Sequence, residues 1–90
     1  MAKVGSWFVY IMQCADGTLY TGVARDVATR LRQHNGELRG GPRYTRGRRP
    51  VAVVYMEEVP DRSTAQQREA QIKALPRQQK LALVEGSAQS

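Results

Sequence analysis

Trp7-Phe8-Val9-Tyr10-Ile11-Met12-Gln13-Cys14-Ala15-Asp16-Gly17-Thr18-Leu19-Tyr20-Thr21-Gly22-Val23 holds two β-type runs around a single turn signal. Aromatic and β-branched residues suit a pleated, half-buried surface, so residues 7–12 and 18–23 read as two strands of a hairpin. Loop length sets the register, and register decides which side chains share a face. A two-residue Asp16-Gly17 loop would place Tyr10 and Tyr20 on opposite faces. A three-residue Ala15-Asp16-Gly17 loop pairs Cys14 with Thr18 and gives Gly17 the left-handed position of a glycine bulge. It sets Val9 against Val23 and Ile11 against Thr21 on one face. Tyr10, Met12, Tyr20 and Gly22 then occupy the other. The apolar sets match only in this second register, which makes the two tyrosines neighbours.

Beyond the hairpin, Asp26 is an N-cap for a helix from Val27 to about Glu37, with Gly36 near its end. Arg30 and His34 lie four residues apart and project from one face of it. Residues 39–50 contain five arginines and no acid and read as a loop. Val51–Met56 is a third strand, apolar on both faces and therefore expected to be central or well covered. Ser63-Thr64-Ala65-Gln66 carries a capping-box pattern and opens a second helix that Pro76 ends. A third helix is expected from about Arg77 to Val84, stopped by Gly86, with a loose tail over 86–90. The expected fold is α+β: a three-stranded antiparallel sheet flanked by helices, in the order β-β-α-β-α-α. It forms one domain over residues 1–90 with a core of about 7–84.

The chain has 90 residues and a formal charge of +6. A small domain this basic meets a polyanion. The basic cluster is rich in Gly and Pro rather than amphipathic, which favours nucleic acid over a membrane surface. The longest apolar run, Trp7 to Met12, is too short to span a bilayer. Cys14 is the single cysteine and the N-terminus shows no secretory leader, so a reducing, cytoplasmic location is expected.

The motifs resemble those of the GIY-YIG nucleases. The two halves stand here as Phe8-Val9-Tyr10 and Tyr20-Thr21-Gly22. Arg30 matches the family's downstream arginine, His34 the histidine or tyrosine one turn later, and Glu69 the metal-binding glutamate of a later helix. Tyr44-Thr45-Arg46-Gly47-Arg48-Arg49-Pro50 is similar to the small stand-alone bacterial subgroup. Phe8 and Thr21 depart from the family's Gly and Ile. Where several members have a lysine after the second triplet, only Arg25 could substitute.

The resemblance implies that Tyr10 is the base or water-orienting group and that Tyr20 positions the phosphate or relays a proton. It also implies that Glu69 holds one Mg²⁺ or Mn²⁺, and it makes DNA repair or recombination the expected pathway. Chemistry supports these roles independently. Phosphodiester hydrolysis needs an in-line water, a base, and charge neutralisation on the phosphoryl oxygens. A phenol with a pKa of about 10 can serve as base when a cation lowers that value. A planar guanidinium such as that of Arg30 suits a phosphate clamp. Of the eight carboxylates, only Glu69 is mid-helix and matched to a site, which favours one cation over a two-metal cluster.

Gly22 would let a phosphate approach. Arg43, Tyr44, Arg46, Arg48 and Arg49 would form a phosphate-binding strip with a stacking aromatic. The leading reading is a metal-dependent nuclease acting on DNA more than RNA. The alternatives are a non-catalytic nucleic-acid-binding module on the same scaffold and a basic RNA-associated structural protein. Each named residue also has a plainer reading. The tyrosines could be strand aromatics, His34 a helix-end residue, and Glu69 merely the i,i+4 partner of Lys73.

Overall fold

The computed structural model describes residues 6–89. Met1 to Gly5, where the N-terminal reading fell, and Ser90 lie outside the described residues. β1 (Trp7–Gln13) and β2 (Leu19–Ala24) form the hairpin. Val9 faces Val23, Tyr10 faces Gly22 and Ile11 faces Thr21, which is the three-residue-loop register. The turn is built as its chemistry requires. Gly17 takes φ +86 and its N–H donates to the Cys14 carbonyl at 2.9 Å. Asp16 Oδ1 accepts from the Thr18 amide at 3.1 Å, closing the turn from its side chain.

α1 (Val27–His34) starts at Asp26, whose carboxylate accepts from the Thr29 amide at 3.1 Å. It ends at His34, not at Glu37, because Gly36 turns left-handed at φ +81. The expected arginine loop contains one short helix, α2 (Arg43–Arg46), which adds an element to the expected order. β3 (Ala52–Val59) pairs antiparallel with β1, giving the strand order β2-β1-β3. The central strand is therefore β1, and β3 is an edge, contrary to the expectation from its apolar run. Its composition reflects cover from the helices on one face, while Met56 is 52% exposed on the other. A bulge at Val54 shifts the register, so Tyr55 opposes Ile11 and Val53 opposes Met12.

α3 (Arg62–Lys73) is capped by Asp61, whose carboxylate accepts from the Thr64 amide at 2.7 Å. Ser63 lies inside that helix, so the cap falls two residues earlier than the capping-box pattern suggested. α4 (Arg77–Gln89) continues past Gly86. An interior glycine costs a helix about 1 kcal/mol against alanine, which does not end it unless the backbone also turns left-handed.

Both sheet faces are covered. Tyr10, Met12 and Cys14 pack with Val27 and Val51 on one side. Val9 and Ile11 pack with Ala65, Ile72 and Val59 on the other. Val9 to Met12 are 0–1% exposed, which is why β1 alone reads as a continuous apolar run that fits the centre of the sheet. Among the described residues, no helix is long and apolar enough to cross a membrane.

Candidate active site on the hairpin face

Tyr10 is the centre of the site. It projects from the middle of β1 and its ring lies across Gly22 on β2. A Cβ at Gly22 would overlap the Tyr10 hydroxyl, so the missing side chain is what lets the phenol lie flat along the sheet. The ring is 1% exposed. Tyr20 stacks beside it with ring centroids 6.5 Å apart and planes at 28°. The face shared by the two tyrosines follows directly from the hairpin register.

α1 runs over this face and delivers two side chains one turn apart. His34 is fully buried, and its Nε2 lies 3.3 Å from the Tyr10 hydroxyl. Tyr20 meets the imidazole edge-on at 4.9 Å. Arg30 sits beside Tyr10, where its charge acts on the phenol. One nitrogen of Arg30, Nη1, is already committed, donating to Gln33 Oε1 at 2.8 Å and to the Gly40 carbonyl at 2.9 Å. The guanidinium is thereby held in place before any ligand arrives.

The tautomer of His34 follows from its second nitrogen. Nδ1 lies 3.2 Å from Thr45 Oγ1, and that hydroxyl donates to the Pro42 carbonyl at 3.2 Å. A hydroxyl has one proton, so Thr45 can only accept from the imidazole. His34 therefore carries its proton on Nδ1 and presents a lone pair at Nε2. The Tyr10 hydroxyl donates to that lone pair. Thr45 is fully buried and belongs to α2. Nothing in the sequence signalled it: the Thr45–His34 contact spans 11 residues and follows no period.

Burial shifts both partners away from neutrality. The Tyr10 phenol is pushed up to about 12, mainly by desolvation. Arg30 opposes the rise, and the charges of Tyr20 and Glu69 add to it. His34 is pushed down to about 4 by burial first and then by the positive charges of Arg30 and Arg49. At neutral pH the pair is an uncharged phenol and an uncharged imidazole.

Glu69 comes from α3 and its charge reaches Tyr10, although the two make no contact. Its carboxylate is 3.4 Å from Lys73 Nζ and 23% exposed, so the plain i,i+4 pair also forms. Among the described residues, no group of three or more His, Cys, Asp or Glu side chains converges as a metal cage. The donor set fits a hard cation anchored by one carboxylate that keeps its waters or takes phosphate oxygens.

The arginines divide by role. Arg48 stacks over Tyr44 at 4.3 Å and donates to the Tyr44 carbonyl at 2.7 Å. Its Nε lies 3.2 Å from Asp16 Oδ2 as a charge contact without hydrogen-bond alignment. Arg49 Nε donates to the His34 carbonyl at 2.7 Å. These two brace the site from within. Arg43 and Arg46 are exposed on α2. Arg25 does not join the tyrosines, for its guanidinium lies 5.9 Å over the Trp7 ring. Tyr44 extends the aromatic row, 5.7 Å from Tyr20 and 42% exposed. Asn35 clips α1 to the start of β3, donating to the Val51 carbonyl at 2.9 Å and accepting from the Val51 amide at 2.7 Å.

The sequence profile of the GIY-YIG catalytic domain matches residues 6–82 of this chain. The chain belongs to the GIY-YIG family. A UPF0213 protein of Desulfotalea psychrophila is 54% identical over 82 residues, covering 91% of this chain and 74% of the relative. A UPF0213 protein of Staphylococcus aureus is 51% identical over 80 residues, covering 88% of this chain and 94% of the relative. The solution NMR structure of a UPF0213 protein from Bacillus halodurans is 38% identical, with a TM-score of 0.56, and the match covers 89% of this chain and 83% of that one. GIY-YIG membership supports a nuclease-type activity on nucleic acid, and the three-stranded α+β fold agrees with that of the Bacillus protein.

Proposed function

We propose that this GIY-YIG protein is a nuclease that hydrolyses a phosphodiester in nucleic acid, DNA before RNA, with one divalent cation, Mg²⁺ or Mn²⁺, anchored at Glu69. The observation that carries the reading is the buried Tyr10–His34 hydrogen bond, laid over Gly22 with Arg30 beside it.

The chemistry divides among the side chains. Tyr10 donates its proton to His34 Nε2, which leaves its oxygen lone pairs to accept from the attacking water. A full proton transfer from Tyr10 to His34 is uphill by on the order of 10 kcal/mol, given values of about 12 and about 4. His34 thus orients the phenol and does not take its proton outright. Tyr10 gains basicity only when positive charge arrives near it. Arg30 supplies part of that charge and clamps the phosphate with the guanidinium edge that the Gly40 and Gln33 bonds leave free. A cation bound at Glu69 would supply Lewis-acid charge to the phosphoryl oxygens and reverse the sign of the field that Glu69 now imposes on Tyr10. Tyr20 walls the phenol and supports its orientation.

The second reading, a binding module without turnover, draws on the same pair, because neither group exchanges a proton near pH 7 by itself. One screen separates the two. Purified protein is incubated with Mg²⁺ or Mn²⁺ on branched, flapped, single-stranded and duplex substrates. A nuclease cleaves at least one of them, and Tyr10→Phe and Glu69→Ala abolish cleavage while keeping most of the binding. Absence of any cleavage that Glu69→Ala removes overturns the enzyme reading.

A further inference from the structure

A second cavity opens on the other side of α1 from Tyr10. It has a volume of about 450 Å³, and Arg39, Arg46 and Arg49 line it together with Gly36, Gly40 and Gly41. That volume lies within the roughly 300–1,000 Å³ range of small-molecule sites.

Its walls are set by internal bonds. Arg49 is anchored through Nε on the His34 carbonyl, and its guanidinium lies against Gly36, where a Cβ would come within 2.5 Å of Nη1. Gly36 and Gly40 hold left-handed conformations, with φ +81 and +102. Gly41 packs so closely on the Gln33 carbonyl that a Cβ would overlap it. Arg30 holds the rim by its bond to the Gly40 carbonyl.

The charge is unbalanced. Among the described residues, no carboxylate lies within 4.0 Å of Arg39, Arg46 or Arg49, and the ion pairs formed use other arginines. Glu37 also lines the cavity, but its nearest basic partner is Arg32 at 3.8 Å. Three guanidinium groups converging on one concavity repel each other unless an anion sits between them, and a cleft lined by one sign of charge focuses the field. Guanidinium matches phosphate in shape and in donor number.

We propose that this cavity binds a phosphate group of the nucleic-acid strand other than the one at Tyr10, giving the protein a second hold on its substrate. The proposal rests on the nuclease reading for its substrate but not for its chemistry. Arg49 links the cavity to the catalytic pair through the His34 backbone, and Arg30 links it through Gly40. A strand held in both places lies across the end of α1.

The test is run in EDTA, so that binding is read without turnover. Inorganic phosphate is titrated into ¹⁵N-labelled protein. The expected result is a saturable shift of the Gly36, Gly40 and Gly41 amides that Arg39→Ala/Arg46→Ala removes. In the same double variant, affinity for a single-stranded oligodeoxynucleotide falls about 10-fold and the salt-dependence slope falls by about 2, one for each phosphate-contacting arginine lost. The oligonucleotide displaces inorganic phosphate from these amides. Stronger displacement by a 5′-phosphorylated strand than by its 5′-hydroxyl counterpart assigns the cavity to a strand end, and equal displacement assigns it to a backbone phosphate.

The proposal is overturned if the three amides do not shift saturably. It is also overturned if phosphate binds but no oligonucleotide competes, or if the double variant keeps its affinity and slope while remaining folded by circular dichroism. Failure of the cleavage screen with these shifts intact sinks the nuclease reading and leaves the cavity standing.

Discussion

The Tyr10 hydroxyl and His34 Nε2 lie 3.3 Å apart in a fully buried contact, and Thr45 on the far side of the imidazole fixes which of them donates. One hydroxyl on α2 thus sets the direction of a hydrogen bond at the centre of the sheet. The short helix that carries exposed arginines on its outside carries the orienting threonine on its inside.

Replacing that hydroxyl with a methyl group should release the tautomer. In Thr45→Val the Nδ1–H loses its acceptor, a loss worth about 1–3 kcal/mol for a buried donor. Nitrogen-15 spectra of the imidazole should show a growing Nε2–H population. Turnover should fall about 10-fold, the equivalent of 1.4 kcal/mol, with affinity little changed. Thr45→Ser should retain the wild-type spectrum. An unaltered tautomer in the valine variant would contradict the assignment.

Gly22 should tolerate no side chain. Gly22→Ala drives a methyl group into the Tyr10 ring, and overpacking of this kind costs about 1–3 kcal/mol. Urea denaturation should register that loss. Cleavage should drop more than stability accounts for, because the ring must leave His34 to make room. Recovery of full activity under conditions where the variant is folded would show that the flat ring is not needed.

Stability should fall between pH 6.5 and 4. His34 is held at about 4 in the folded chain against an ordinary value near 6.5, so in this window the unfolded chain binds a proton that the folded chain refuses. The contribution is complete above pH 6.5 and is lost as the pH falls toward 4. It amounts to about 3 kcal/mol at most. Urea midpoints measured across this range should slope downward with acid, and His34→Leu should flatten the slope. The same depression means that the cleavage rate should show no limb near pH 6.5.

Lys73 should compete with the cation for Glu69. The pair is partly exposed and worth no more than about 1 kcal/mol. Lys73→Ala should therefore lower the Mg²⁺ or Mn²⁺ concentration giving half-maximal cleavage by up to about fivefold. Glu69→Gln should abolish the cation requirement together with the activity. A cation response unchanged in both variants would remove Glu69 from the site.

Much of the site could be read because its parts are local or periodic. Asp16-Gly17 and the matched apolar alternation force one hairpin register, and the neighbourhood of Tyr10 and Tyr20 follows. The i,i+4 spacing put Arg30 and His34 on one face before any tertiary information. Other elements were misplaced where two local signals competed. Asp61 outcompeted Ser63 as the cap because its carboxylate reaches the Thr64 amide, and Gly86 lacked the left-handed turn that would have made it a stop. β3 has a central strand's composition, yet its place at the edge depends on which strand the helices enclose from both sides.

The sequence by itself determined the hairpin, its shared tyrosine face, the arginine–histidine turn of α1, and through its motifs the GIY-YIG family. Turn chemistry and side-chain period act over a few residues and leave a visible pattern. Tertiary structure alone decided that His34 is buried and neutral, that Thr45 sets its tautomer, and that Arg48 and Arg49 brace the site while Arg46 faces a cavity. Those contacts join residues 24, 11 and 15 positions apart. They form only when the whole core closes around β1, and burial, not local sequence, then sets the protonation state of each group.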